Sequence, residues 1–217
     1  MRVSDTGQQS FAETYLKQAA QIAELVDRRV IEHMAERLAN VRERGGRVFF
    51  LGVGGGAAHA SHAVNDFRKL AGLECYAPTD NVSELTARIN DEGWDDAYAA
   101  WLRGSRLAAR DAVFVFSVGG GSEERRVSVN IVNAVNLARS VGADVLGVVG
   151  RDGGHAARVG DAVLIVPTVD DGLVTPHTEA FQAVVWHLLV SHPRVALTSG
   201  TWERVSGVAR DRALSAS

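Results

Sequence analysis

The chain has 217 residues, 46% hydrophobic and 23% charged, with a formal net charge of −3. That balance suits one domain with a sizeable core, and without a run of lysine or arginine it argues against nucleic acid as a main partner. Cys75 is the single cysteine, which excludes an intrachain disulfide and a cysteine-built zinc cage. The opening ten residues lack the apolar core of a signal peptide. The longest strongly apolar run, Ala183 to Val190, falls far short of the roughly 20 residues of a membrane span. The expectation is a cytoplasmic protein with no membrane partner.

Ser10 followed by Glu13 makes a capping-box pattern and predicts one long helix to about Arg44. Its apolar positions, from Ala19 through Ile22, Ile31, Met34 and Leu38 to Val41, step by three and four as a buried stripe does. Gly45 and Gly46 end it. A helix this long exceeds what one sheet needs for cover, so the segment 1–46 is expected to contribute subunit contacts. Arg47 to Leu70 then reads as a strand (Val48 to Leu51), a glycine loop (Gly52 to Gly56) and an alanine-rich helix. Leu73 to Ala77 predicts a second strand. Thr79 to Asp91 and Asp95 to Leu107 predict helices. The opening pattern returns with a strand at Ala112 to Phe116, a glycine loop at Ser117 to Ser122 and a helix over Glu123 to Val141. The mixed charges Glu123 to Arg126 read as the solvated first turn of that helix. Asp144 to Val149 and Ala162 to Val166 predict two more strands, separated by the loop Gly150 to Gly154. A last helix spans His177 to His192, Pro193 stops it, and 194–217 reads as a loosely held tail.

Strands alternating with helices predict an α/β fold: a doubly wound parallel sheet of five strands, covered on both faces. In the flavodoxin-like order 2-1-3-4-5, ligands bind beyond the carboxyl ends of the first and third strands. Those two strands carry the glycine loops, whose backbone N–H groups suit an anion between Gly54–Ala57 and Ser117–Ser122. Neither loop continues into the Gly-Lys-Ser/Thr of a nucleotide P-loop. No acidic residue closes the short second strand in the setting a dinucleotide site requires, which argues against NAD.

His62 and Asp66 lie four apart, on one helix face. Glu179 and His187 fall in the apolar helix Thr175 to His192, where burial is costly unless they are paired, hydrogen-bonded or bound to a metal. His192 at the helix C-terminus is explained by the dipole, and His177 near the start reads as loop-facing. Glu179 and His187 are eight residues apart, a rise of about 12 Å on a continuous helix. Either the helix begins after Glu179, or the two serve one site from different chains.

From the first helix to about His192 the chain resembles the phosphoheptose isomerases of the sugar isomerase (SIS) fold. Their first phosphate loop resembles Gly52 to Gly56, and their Ser-Thr-Ser-Gly-Asn-Ser loop resembles Ser117 to Ser122. Their Asn-Asp pair matches Asn90-Asp91, and their Gly-x-Asp-Gly-Gly turn matches Gly150 to Gly154. The resemblance implies a homotetramer with interfacial sites that converts sedoheptulose 7-phosphate to a manno-heptose 7-phosphate through an enediol. It implies Asp66 and His187 as the acid/base pair. It implies a divalent metal, zinc by preference, on His62, Asp66, Glu179 and His187. Substrate and phosphate contacts are expected from Gly54, Gly55, Gly56, Ala57, Thr79, Asp80, Ser117, Gly119, Gly120 and Ser122.

The chain departs from that pattern at several positions. Asp66 stands where the family has Glu, Glu179 where it has Gln, and Pro176 where it has an acidic residue. Gly56 replaces a loop serine, and Val118 and Gly119 replace two hydroxyl residues of the second loop. Two alternatives stay open beside the heptose isomerase: an isomerase or epimerase of another sugar phosphate, and a non-catalytic sugar-phosphate-binding regulatory protein.

Overall fold

β1 (Arg47–Gly52) carries Phe49 and Phe50 side by side, and side chains alternate along a strand, so the two rings serve opposite faces of the sheet. Phe50 packs with Phe114 and Phe116 of β3 (Ala112–Ser117) and with Phe67 of α3 (Gly55–Ala71). Phe49 meets Trp101 of α5 (Ala97–Gly104) edge-on at 5.6 Å. Both faces are buried, which is why the strands read as continuous apolar runs. With β2 (Glu74–Tyr76), β4 (Asp144–Val149) and β5 (Ala162–Ile165), the sheet is parallel throughout, in the order β2-β1-β3-β4-β5. The predicted fold class and strand order are therefore observed. The computed structural model describes residues 10–201; residues 1–9 of the N-terminal segment and 202–217 of the tail lie outside the described residues.

Several boundaries differ from expectation, and three of them have a clear local reason. The single long N-terminal helix is two helices, α1 (Phe11–Leu25) and α2 (Arg28–Glu43). Val26 leaves the helical region, and the Asp27 carboxylate accepts the Arg29 N–H at 2.9 Å as the cap of a new helix. The segment predicted as the first turns of a helix from Glu123 is not helical. Ser122 and Val127 exchange two backbone hydrogen bonds, Arg126 and Ser128 are left-handed, and α6 (Val129–Val141) starts only after them. The last helix, α8 (Val174–Ser191), begins three residues before its predicted start, since Pro176 is tolerated in a first turn.

α4 (Val82–Glu92), capped by Asn81, and α7 (Gly154–Val159) join the α-helices already given, and two short 3-10 helices span Pro78–Asp80 and Asp171–Leu173. The start of the predicted loose tail is held. Val195 is fully buried, Arg42 donates to the Val195 carbonyl, and the Leu197 N–H donates to Leu70 at 2.9 Å. At the amino end of the sheet, buried Asp111 pairs with Arg47 at 2.8 Å, and Asp144 pairs with Arg37 and Arg44 at 2.7 Å each. These pairs brace the end opposite the glycine loops. No described helix is long and apolar enough to cross a membrane.

Candidate active site

α3 and α8 lie side by side and meet at three successive levels. The lowest holds His62 and Asp66 of α3 and His187 of α8. Asp66 Oδ2 stands 3.5 Å from His62 Nε2 and 3.6 Å from His187 Nε2, and the imidazoles meet edge-on at 5.5 Å. One ligand atom from each residue lies within 4.8 Å of the others, a group that could hold a metal ion. The Asp66 side chain is 13% exposed, while those of His62 and His187 are 55% and 53% exposed, so the carboxylate is the floor and the imidazoles the rim.

Neighbouring groups orient the three. Asn65 donates to Asp66 Oδ1 at 3.0 Å, Trp186 Nε1 approaches Oδ2 at 3.4 Å, and the Trp186 ring lies against both imidazoles. His187 Nδ1 donates to the Ala183 carbonyl at 2.7 Å, which leaves the Nε2 lone pair on the side of Asp66. With the His62 proton on Nδ1, three electron-pair donors face one another beyond good hydrogen-bond length. Ligands about 2.1 Å from a tetrahedral zinc stand roughly 3.4 Å apart, so the donor set fits a shared cation.

Glu179 is not in this group. α8 is unbroken from Val174 to Ser191, so the eight-residue separation keeps Glu179 two turns above His187. Its carboxylate instead lies on Gly55, where a Cβ would be 2.6 Å from both oxygens. That places a negative charge at the N-terminus of α3, where the helix dipole favours it. The expectation that Glu179 and His187 are the costly buried polar groups is also corrected. α8 turns Val174, His177, Thr178, Phe181, Gln182, Val185 and Trp186 inward, while Val184, His187 and Leu188 face out. His177, expected in a loop, is buried: its ring stacks on Tyr15 at 4.4 Å and its Nε2 meets Gln18 at 2.9 Å.

The middle level was missed from sequence. His59 Nδ1 donates to Gln182 Oε1 at 2.9 Å, and Gln182 Nε2 donates to the Val148 carbonyl at 3.2 Å. That carbonyl can only accept, so the amide orientation follows, and with it the His59 tautomer. The available signal was spacing: His59 precedes His62 by three residues and Gln182 follows Glu179 by three, as neighbours on a helix face do.

Beyond the carboxyl ends of β1, β3 and β4 lies a cavity of about 990 Å³. Ser117, Gly119 and Ser122 line it, with Val53, Arg151 and Thr175. Ser117 Oγ accepts the Gly120 N–H at 3.1 Å, and Ser122 Oγ accepts the Arg125 N–H at 3.2 Å. Gly54, Gly55, Gly56, Ala57 and Gly120 are not in its lining. A Cβ at Gly56 would fall 2.5 Å from the Phe116 carbonyl oxygen, so α3 rests backbone to backbone on β3 there. Thr79 and Asp80 sit in a turn after β2, beside α3. Asp80 accepts the Ser61 hydroxyl, and the Thr79 hydroxyl is buried without a partner. At the cavity wall, burial pushes the His155 imidazole below its ordinary pKa, helped by Arg158 and opposed by Glu123.

The SIS domain family matches residues 14–150. The lincomycin biosynthesis protein LmbN of Streptomyces lincolnensis is 32% identical over 169 residues, covering 73% of this chain and 60% of LmbN. The phosphoheptose isomerase of Trichlorobacter lovleyi is 31% identical over 164 residues, covering 73% of this chain and 78% of that protein. Among solved structures, phosphoheptose isomerase GmhA from Neisseria gonorrhoeae superposes with a TM-score of 0.70 at 24% identity, covering 82% of this chain and 95% of that one. That last likeness carries the fold. The domain match over residues 14–150 and the 31% identity to the Trichlorobacter lovleyi protein establish that the chain belongs to the SIS-domain family and, within it, to the phosphoheptose isomerase family.

Proposed function

We infer that the protein is an aldose–ketose isomerase that converts sedoheptulose 7-phosphate to a manno-heptose 7-phosphate through an enediol. The carrying observation is the convergence of His62, Asp66 and His187 within 4.8 Å, in a chain of the phosphoheptose isomerase family. The reaction moves a proton from C1 to C2 and a hydroxyl proton between the two oxygens, so it needs two proton carriers in reach of both carbons. Asp66 and His187 are assigned these roles. His187 has its Nδ1 tied to Ala183, so it exchanges protons at Nε2 alone, and only while that nitrogen is not bound to a cation. Asp66 keeps Oδ2 toward the imidazoles while Asn65 holds Oδ1.

His62, Asp66 and His187 would hold a divalent cation, zinc by preference for two imidazoles and a carboxylate. Such an ion, when bound, supplies Lewis-acid polarisation of the substrate carbonyl and of the enediolate oxygens. Glu179 reaches a site of this kind only from a second copy of the chain. The assembly in this reading is an oligomer, a tetramer in the family's pattern, with sites between subunits. Exposed Phe11, Leu16 and Leu25 on α1, with Val184 and Leu188 on α8, provide apolar surface for such contacts. Cytoplasmic sugar phosphates are the natural substrates.

A second substrate of the same reaction class, a longer or modified sugar phosphate, is favoured by one observation. The excursion Ser122 to Val127 borders the cavity where the residue pattern alone predicts the first turns of a helix. The deciding experiment assays sedoheptulose 7-phosphate isomerisation and metal content in the wild type, Asp66→Asn and His187→Gln. Activity lost in both variants, with metal reduced, is the expected result. A wild type that binds no metal and leaves sedoheptulose 7-phosphate untouched would sink the reading.

A further inference from the structure

The turn after β4 is zipped to the second glycine loop, backbone against backbone. The Gly150 N–H donates to Val118 at 3.0 Å, His155 to Gly121 at 2.8 Å and Ala156 to Gly120 at 3.0 Å. Side chains have no place in that seam: a Cβ at Gly120 would collide with the Gly153 carbonyl, and one at Gly154 with the Gly119 carbonyl. Arg151 stands at the apex of the turn, in the left-handed region at φ 53°, a conformation that costs a non-glycine residue. From there its stem runs over Gly119, with Cδ 3.9 Å from where a Cβ at that glycine would lie. A guanidinium is thus carried across the loop that has lost its hydroxyl residues at 118 and 119, and it lines the cavity.

The Arg151 guanidinium has no hydrogen bond or ion pair to a described residue. Arg125 and Arg158, on the same wall, are likewise unpaired. The wall also carries carboxylates. Glu123 and Glu124 lie on the excursion, and Asp152 accepts the Gly154 N–H at 3.2 Å. The other anion seat, at the first loop, is taken by the Glu179 carboxylate on Gly55. The Ser117 hydroxyl accepts from Gly120 and keeps its own hydrogen for a ligand. A phosphate dianion seated over Gly119 therefore meets the loop, the Ser117 hydroxyl and the fork of N–H donors that Arg151 carries across that glycine, a fork suited to bidentate contact.

We propose that Arg151 binds the phosphate of the substrate in this chain, its guanidinium standing in for the hydroxyls of the second loop. The proposal rests on the sugar-phosphate reading and narrows it: the phosphate sits over Gly119, held from the turn after β4. Gly119 belongs to the same exchange, since a hydroxyl there and an arginine above it are alternative donors to one anion.

The test uses the full chain and two readouts: the affinity for inorganic phosphate by calorimetric titration, and the KM for sedoheptulose 7-phosphate. Arg151→Asn keeps a residue that accepts the left-handed backbone, and Arg151→Lys keeps the charge without the fork. Loss of a charge-assisted contact at an accessible site is expected to weaken phosphate binding and raise KM by about tenfold in Arg151→Asn. Arg151→Lys should recover part of the loss, and kcat should move less than KM. Gly119→Ser, added to Arg151→Asn, should restore phosphate affinity in part, which a merely structural role for Arg151 would not produce. Phosphate affinity absent from the wild type, or unchanged in Arg151→Asn with its fold confirmed by thermal unfolding, overturns the proposal. A wild type that binds phosphate through Arg151 and yet fails to isomerise sedoheptulose 7-phosphate upholds this site and overturns the substrate reading instead.

Discussion

Two glycines stand where the resemblance places loop serines or threonines, and the structure predicts opposite outcomes for putting a serine back. At Gly56 the new Cβ would lie 2.5 Å from the Phe116 carbonyl oxygen and 3.3 Å from its carbon. Ordinary contact begins near 3.4 Å, so α3 would have to retreat from β3 by about 0.9 Å. The helix cannot retreat freely, because Phe67 packs on Phe50 at 5.3 Å and His59 faces Phe116 at 6.2 Å. Overpacking of this kind costs about 1–3 kcal/mol, which lowers the melting temperature of a chain this size by roughly 2–12 °C. At Gly119 the nearest atom to a new Cβ is Arg151 Cδ at 3.9 Å, so Gly119→Ser should stay within about 0.5 kcal/mol of wild type. Thermal unfolding followed by far-ultraviolet circular dichroism on the two variants decides the matter. Equal shifts in the two variants, or a Gly56→Ser protein as stable as wild type, would refute the close approach of α3 to β3.

Three further outcomes follow from particular contacts. Gln182 is fully buried, and Gln182→Leu strands both His59 Nδ1 and the Val148 carbonyl. A loss of about 2–4 kcal/mol is expected, and an unchanged denaturant midpoint would contradict the assigned network. His155 is held below its ordinary pKa in the folded chain, so the native state binds that proton less readily than the unfolded one. Its contribution to stability is present above about pH 6.5 and is lost as the pH falls through the lowered value. His155→Gln should therefore show a shallower loss of stability than wild type between pH 7 and 5, and identical slopes would contradict this. Cys75 is buried, and burial pushes its thiol up, so a thiol reagent should label it only on unfolding; rapid labelling of the native protein would show the strand edge to be open.

The order of the sheet was legible because each strand is an apolar run between helices of the right length, and a parallel sheet has few ways to be wound. Phe49 and Phe50 could both be placed in the core for the same reason. His62 and Asp66 were legible as a pair because a helix alone brings i and i+4 together. The start of α6 was not. Glu123 to Arg126 have ordinary helix propensities, and only the paired Ser122 and Val127, with the left-handed Arg126 and Ser128, turn them out of a helix.

The sequence by itself determined the periodic elements, the parallel sheet, the two glycine loops at the ligand-binding end and the pairing of His62 with Asp66. These depend on contacts within a few residues, or on burying apolar faces. Only the tertiary structure decided which polar groups of α8 turn inward. Val184 and Leu188 on the outer face are as apolar as Val185 and Leu189 on the inner one, so the helix reads the same from either side. Packing against α3 set the rotation of α8. With it came His187 beside Asp66, Gln182 beneath His59 and Glu179 over Gly55, each across more than 110 residues of chain. Arg151 reaches the second loop for a similar reason: the turn after β4 is zipped to that loop by backbone hydrogen bonds, and residue spacing does not encode such a join.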